Sequence, residues 1–110
     1  MKTAEHMKTE HIKARDQLLA RAREMRMRAG QARARARETY GANPEPNPFP
    51  VSGGICDHWP REVSDEIVGY VHAKQDAVAA ALVQHKKAGL REVTFRRILR
   101  NIHQLSLIHI

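Results

Sequence analysis

Four prolines at alternate positions, Pro44, Pro46, Pro48 and Pro50, constrain this chain more than any other feature. Each fixes φ near about −65° and removes an amide donor, so neither a helix nor a sheet strand passes through them. The stretch 41–50 is expected to run extended, polyproline-like, as a stiff spacer. Val51-Ser52-Gly53-Gly54 then reads as a turn, and Phe49, Ile55 and Trp59 as apolar anchors holding the segment down. The chain is thereby divided into an Arg/Ala-rich block over 1–40, a Pro/Gly-rich linker over 41–60, and a closing unit over 61–104.

The opening block has no proline and is rich in Ala, Arg, Met, Leu, Glu and Lys, the strongest helix formers. It reads as one helix from about Thr3 to Arg37, interrupted by Gly30 at a cost of about 1 kcal/mol. Thr3 followed by His6 makes a poor capping box. Leu18, Ala22, Met25, Ala29, Ala32 and Ala36 recur at spacings of four and three and line one face. After Met25 that stripe is all alanine, which permits close packing but buries little area. Arg21, Arg28 and Arg35 flank the stripe on one side, and Arg26 and Arg33 on the other. A rod of this kind reaches roughly 50 Å.

The closing unit reads as two helices. The first begins around Pro60–Ser64, with Pro60 suited to a first helical position, and ends near Ala88. Its apolar face is Val63, Ile67, Val71, Val78 and Leu82, with Ala77 and Ala81 beside it. Glu62, Asp65 and Glu66 suit the helix start, Lys86 and Lys87 suit its end, and Gly89 is a natural stop. The second, from Arg91 to Gln104, has Phe95, Ile98, Leu99 and Ile102 at i, i+3, i+4 and i+7, one buried face. The expected fold class is all-α: a long basic N-terminal helix, a proline-rich elbow and a two-helix hairpin-like unit truncated at its C-terminus. The last six residues, Leu105 to Ile110, match the translation of a transposon mosaic-end sequencing adapter. They are read as an artefact, and no function is placed on His109.

Composition narrows the function. Nineteen Lys+Arg against twelve Asp+Glu give a formal charge of +7. The opening Met1-Lys2-Thr3-Ala4-Glu5-His6 lacks the apolar core of a secretory signal, and no apolar run approaches the roughly 18–20 residues of a membrane span. A single cysteine, Cys56, forms no intrachain disulfide, so a cytoplasmic, reducing setting is expected. Cys56 and His58 lie two apart, but a structural zinc site needs four ligands, normally as two close pairs. No metal and no cofactor are therefore expected. The same pair lacks an orienting group or oxyanion donors, and Gly53-Gly54 lacks the rest of a phosphate-loop fingerprint. The chain is read as a non-enzyme.

The positive charge is segregated. Residues 1–40 hold eleven Lys/Arg and five acids, residues 41–76 two bases and six acids, and residues 77–104 six bases and one acid. Seven arginines fall within the seventeen residues from Arg21 to Arg37. Arginine binds phosphate bidentately and stays charged at any relevant pH, so such a helix can follow a nucleic-acid backbone without reading bases. Tyr40 is the only ring nearby, which argues against a single-strand stacking platform. The phosphate-binding residues expected are Arg21, Arg26, Arg28, Arg33, Arg35 and Arg37.

A second patch, Arg91, Arg96, Arg97 and Arg100, is expected beside Gly89. Here Gly89-Leu90-Arg91-Glu92-Val93-Thr94-Phe95-Arg96-Arg97-Ile98 resembles the turn and second helix of helix-turn-helix DNA-binding domains. The resemblance implies that Arg91, Glu92, Thr94 and Arg97 face the major groove. It departs from the pattern at His85 and Gln84, where a small and an apolar residue belong. A plain helical hairpin with a glycine cap is the favoured reading. The short apolar faces suggest that burial is completed by a homodimer or another protein partner. The sequence thus points to a small nucleic-acid-binding accessory or regulatory protein of phage or mobile-element character. The alternative is a helical regulator of another protein, antiactivator-like, whose basic helix only solvates or pairs with acids.

Overall fold

The computed structural model describes residues 4–42 and 55–108, with side chains as far as 101. The described residues form three helices: α1 over Ala4–Tyr40, α2 over Arg61–Lys87 and α3 over Glu92–Ile108. The chain is all-α, as the sequence indicates. α1 folds back along α2 rather than projecting alone: Leu19 meets Ala81 near one end, and Ala32 and Ala36 meet Ile67 near the other. The result is an antiparallel pair within an elongated envelope of 60 × 24 × 23 Å. α3 covers only the end of the pair nearest the α2–α3 turn.

Both glycines that end helices take left-handed backbone. Gly41, at φ 81°, donates its amide to the Arg37 carbonyl at 2.9 Å. α1 therefore runs three residues beyond Arg37, because nothing in Glu38-Thr39-Tyr40 breaks it before a glycine supplies the stop. Gly89, at φ 80°, donates to the Lys86 carbonyl at 2.9 Å while Leu90 donates to the His85 carbonyl at 3.3 Å. That pair of bonds is a Schellman cap. Pro60 differs from expectation by one position: it is the N-cap, and its carbonyl accepts from Val63 and Ser64 at 3.0 and 3.2 Å.

Small residues set the α1–α2 seam. Ala22, Met25, Ala29, Ala32 and Ala36 of α1 are buried, as are Ile67, Ala77 and Ala81 of α2. Leu19, not Leu18, is the buried leucine; Leu18 is half-buried beside it. Most of these side chains are alanine, which permits close approach of the two helices. Two larger clusters fasten the ends. Trp59 and Cys56 join Ala32, Ala36 and Ile67 at the loop end, with Ile55, Val63 and Tyr70 packed around them. Phe95 joins Leu19 and Ala81 at the other, with Val78, Leu82, Ile98 and Leu99. The Trp59 indole Nε1 donates to the Gly41 carbonyl at 2.9 Å, so the two sides of the linker are bonded to each other.

The polyproline reading of 43–50, the turn at 51–54 and the Phe49 anchor lie outside the described residues. So do the side chains of every residue from Ile102 on; the α3 backbone itself reaches Ile108. No described helix is long and apolar enough to cross a membrane.

Candidate anion-binding seam

The two arginine flanks of α1 meet different surroundings. On one, Arg28 Nη2 pairs with Glu24 Oε1 at 2.7 Å, and Arg35 Nη2 reaches Glu66 Oε1 of α2 at 3.8 Å. All four of these side chains are substantially exposed, and such pairs contribute about 0–1 kcal/mol. Arg21, on the same flank, is exposed. On this side one acid of the middle block, Glu66, meets the basic helix.

The other flank holds a concentration of positive charge. Arg26 and Arg33 lie seven residues apart, about 10 Å along the axis, and both are half-buried. Facing them from α2 is Lys74, also half-buried. Burial first, then Arg26, then Arg33, hold its ammonium below the ordinary lysine value of 10.5. Burial, Arg37 and Arg26 likewise lower Arg33 from its usual range. Lys74 therefore feels Arg26 and Arg33 across the seam, and Arg37 adds to the charge on Arg33 along α1. Among the described residues, neither Arg26 nor Lys74 has a hydrogen bond or an ion pair. Arg37 and Arg23 are exposed at the rim. Beside Lys74 lies a shallow depression lined by Leu19, Ala22, Arg23, Arg26, Lys74, Val78 and Leu99. All three helices contribute to it, α3 through Leu99.

Lys74 and Arg23 were not among the residues singled out from sequence. Lys74 was legible in principle: it lies seven residues after Ile67 and four before Val78, on the stripe that faces α1. A reading that follows only apolar residues passes over it.

The second predicted patch stays apart from this seam. Arg91, Arg96, Arg97 and Arg100 are all exposed on α3. Arg96 pairs with Glu92 of its own helix at 3.5 Å. Helical spacing puts Arg96, Arg97 and Arg100 on the side of α3 away from buried Phe95.

No protein-family model, curated protein or solved structure matches this chain.

Other polar groups are spent within the fold. His85 is fully buried; its Nε2 donates to the Arg91 carbonyl at 2.8 Å, and its Nδ1 accepts from Arg15 Nη1 at 3.1 Å. Arg15 is only 11% exposed and is neutralised by Asp16, its Nη2 2.8 Å from Oδ1. Next to it, His11 Nδ1 lies 2.7 Å from Gln84 Oε1. The departure from the helix-turn-helix pattern at His85 is thus a packed core position, with the imidazole tilted against Phe95 at 5.4 Å. Cys56 is buried, whereas His58 is exposed with Nε2 at 2.8 Å from the Tyr40 carbonyl. Among the described residues no three His, Cys, Asp or Glu side chains gather in a metal-binding group.

Proposed function

We propose that this is a small non-enzymatic accessory protein that binds nucleic acid through the phosphate backbone, along the flank carrying Arg23, Arg26, Arg33, Arg37 and Lys74. The observation that carries this reading is Lys74, drawn to a half-buried seam position opposite Arg26 and Arg33. Gathering like charges in a partly desolvated place opposes folding. An external polyanion is a complement that relieves it at Lys74 and Arg26, which have no hydrogen bond or ion pair among the described residues. Phosphate contacts position a protein on a strand without reading sequence, which suits a surface of guanidinium and ammonium groups with no recognition ring.

The test is binding of a labelled duplex by fluorescence anisotropy across a salt series. Each phosphate contact contributes about −0.9 to the log–log slope. Five cations on the flank therefore predict a slope of about −4 to −5, and Arg26→Gln/Arg33→Gln/Lys74→Gln a slope shallower by about 2.7. Absence of binding at about 50 mM salt, or a slope untouched by the triple variant, refutes the proposal.

A further inference from the structure

We infer that the protein rides one strand of the sugar–phosphate backbone from outside the grooves, laying a ridge of phosphates along the α1–α2 seam rather than putting α1 into a groove. The inference rests on the nucleic-acid reading and adds to it which face engages and how many strands it holds.

A helix enters a groove by the face that points away from the rest of its protein. On α1 that crest, opposite the buried stripe, is the line Ala20, Met27, Gln31 and Ala34. All four are exposed, Met27 by 57%, and none carries charge. The cations lie lower, on the flanks. Arg26 and Arg33 are half-buried beside the seam, and Lys74 belongs to the other helix. A ligand therefore reaches Lys74 from the side of the hairpin and not over the crest of α1. The Lys74 ammonium is close enough to feel Arg26 and Arg33, and Arg33 to feel Arg37, so these cations form one row.

Dimensions point the same way. A major groove about 12 Å wide admits a single helix of about 10–12 Å. It does not admit two helices side by side, and this molecule measures 24 × 23 Å across its short axes. A surface that uses both Arg26 of α1 and Lys74 of α2 meets nucleic acid where a two-helix seam fits, over a phosphate ridge. A groove-lodged helix also has a strand on each side. On the opposite flank of α1 a second strand would meet Glu24, which holds Arg28 at 2.7 Å, and Glu66, 3.8 Å from Arg35. From Arg23 to Arg37 the row covers about 21 Å of helix, at most about six phosphates of one strand at about 3.4 Å of duplex axis each.

The experiment measures binding by fluorescence anisotropy over a salt series, with three probes of one sequence. They are a plain duplex, the same duplex with its major groove filled by glucosyl groups carried on the cytosines, and the single strand. Wild-type protein is expected to bind the two duplexes alike and the single strand as well. Five phosphate contacts give log–log slopes of about −4.5 on either duplex and about −3.5 on the single strand. Lys74→Gln, with helicity checked by circular dichroism, makes these shallower by about 0.9 and about 0.7 respectively. Met27→Trp, a bulky group on the crest, leaves all three affinities unchanged. A loss of about tenfold or more on the filled groove, the scale of one bidentate base contact, overturns the inference while leaving nucleic-acid binding intact. So does a single strand left unbound at a salt where the plain duplex is held, or a Met27→Trp protein that loses the duplex. Failure to bind any of the three probes removes the nucleic-acid reading and this inference with it.

Discussion

His85 offers the sharpest test of how the covered end of the hairpin is held. The imidazole is 0% exposed, and both ring nitrogens are committed, one to a backbone carbonyl and one to a guanidinium. With Arg15 as an obligate donor, Nδ1 must accept, so the ring is the neutral tautomer with its proton on Nε2. His85→Phe keeps the ring volume and the packing on Phe95 but leaves the Arg91 carbonyl and one Arg15 N–H without their partner. A neutral hydrogen bond contributes about 1 kcal/mol and one to a charged group about 1.5–3 kcal/mol, so a loss of about 2–4 kcal/mol is expected. At about 4–8 °C per kcal/mol for domains near this size, Tm falls by more than about 10 °C.

A double-mutant cycle separates lost bonding from a simple misfit. Arg15→Met in the His85→Phe background removes the stranded donor and releases Asp16, which at 59% exposure is hydrated without it. The double variant is therefore expected to recover about half of the loss, with a coupling energy of about 1–2 kcal/mol. The measurement is denaturant unfolding followed by circular dichroism for all four proteins. A His85→Phe protein as stable as wild type, or strict additivity in the cycle, would show that the buried network contributes nothing beyond packing.

Two further predictions concern the seam. Ala32→Leu adds three carbons where α1 and α2 are in close approach beside Trp59 and Ile67; overpacking of this kind costs about 1–3 kcal/mol, and an unchanged Tm would contradict the tight alanine seam. Lys74→Met is expected to stabilise the protein near neutral pH, because the fold disfavours the charged form of that side chain. The folded lysine titrates below the unfolded one, so between the two values the unfolded chain binds more protons and wild-type stability rises with pH. The advantage of Lys74→Met over wild type should accordingly shrink as pH climbs toward 10.5, as read from paired unfolding curves; an advantage that grows with pH refutes the charge-gathering account.

Much of the fold was legible because its devices are local. The four-and-three spacing from Ala22 to Ala36 fixed the buried face of α1, and Gly89 and Trp59 act as their residue types require. Leu18 and Leu19 are adjacent, so the stripe could be drawn through either, and only the partner helix decides that Leu19 goes in. Gly41 was as plain a stop as Gly89, yet the polar run Glu38-Thr39-Tyr40 gave no periodic signal to carry α1 up to it. The seam position of Lys74 was legible from its spacing, but its role, like that of His85, was not. A polar side chain at a seam position is interpretable only through the residues of the other helix, and long sequence separations, as from Arg33 to Lys74 or from Arg15 to His85, carry no local trace.

That limit bears directly on function. Sequence alone divides the arginines of α1 between two flanks but gives no reason to prefer either, since both belong to the same alanine-rich rod. Folding against α2 makes them unequal. The partner helix brings Glu66 to one flank, within reach of Arg35, and Lys74 to the other, so a single element adds an acid to one side of the tract and a further cation to the other. The alanine seam is what makes this division possible, because long side chains at Ala22, Ala29 or Ala32 would hold the helices too far apart for Lys74 to feel Arg26 and Arg33. The electrostatic asymmetry is therefore a packing consequence. Ala29→Leu, by spreading the helices, should weaken phosphate-dependent binding without removing a single charge, whereas binding that depends only on the net charge of α1 would be indifferent to it.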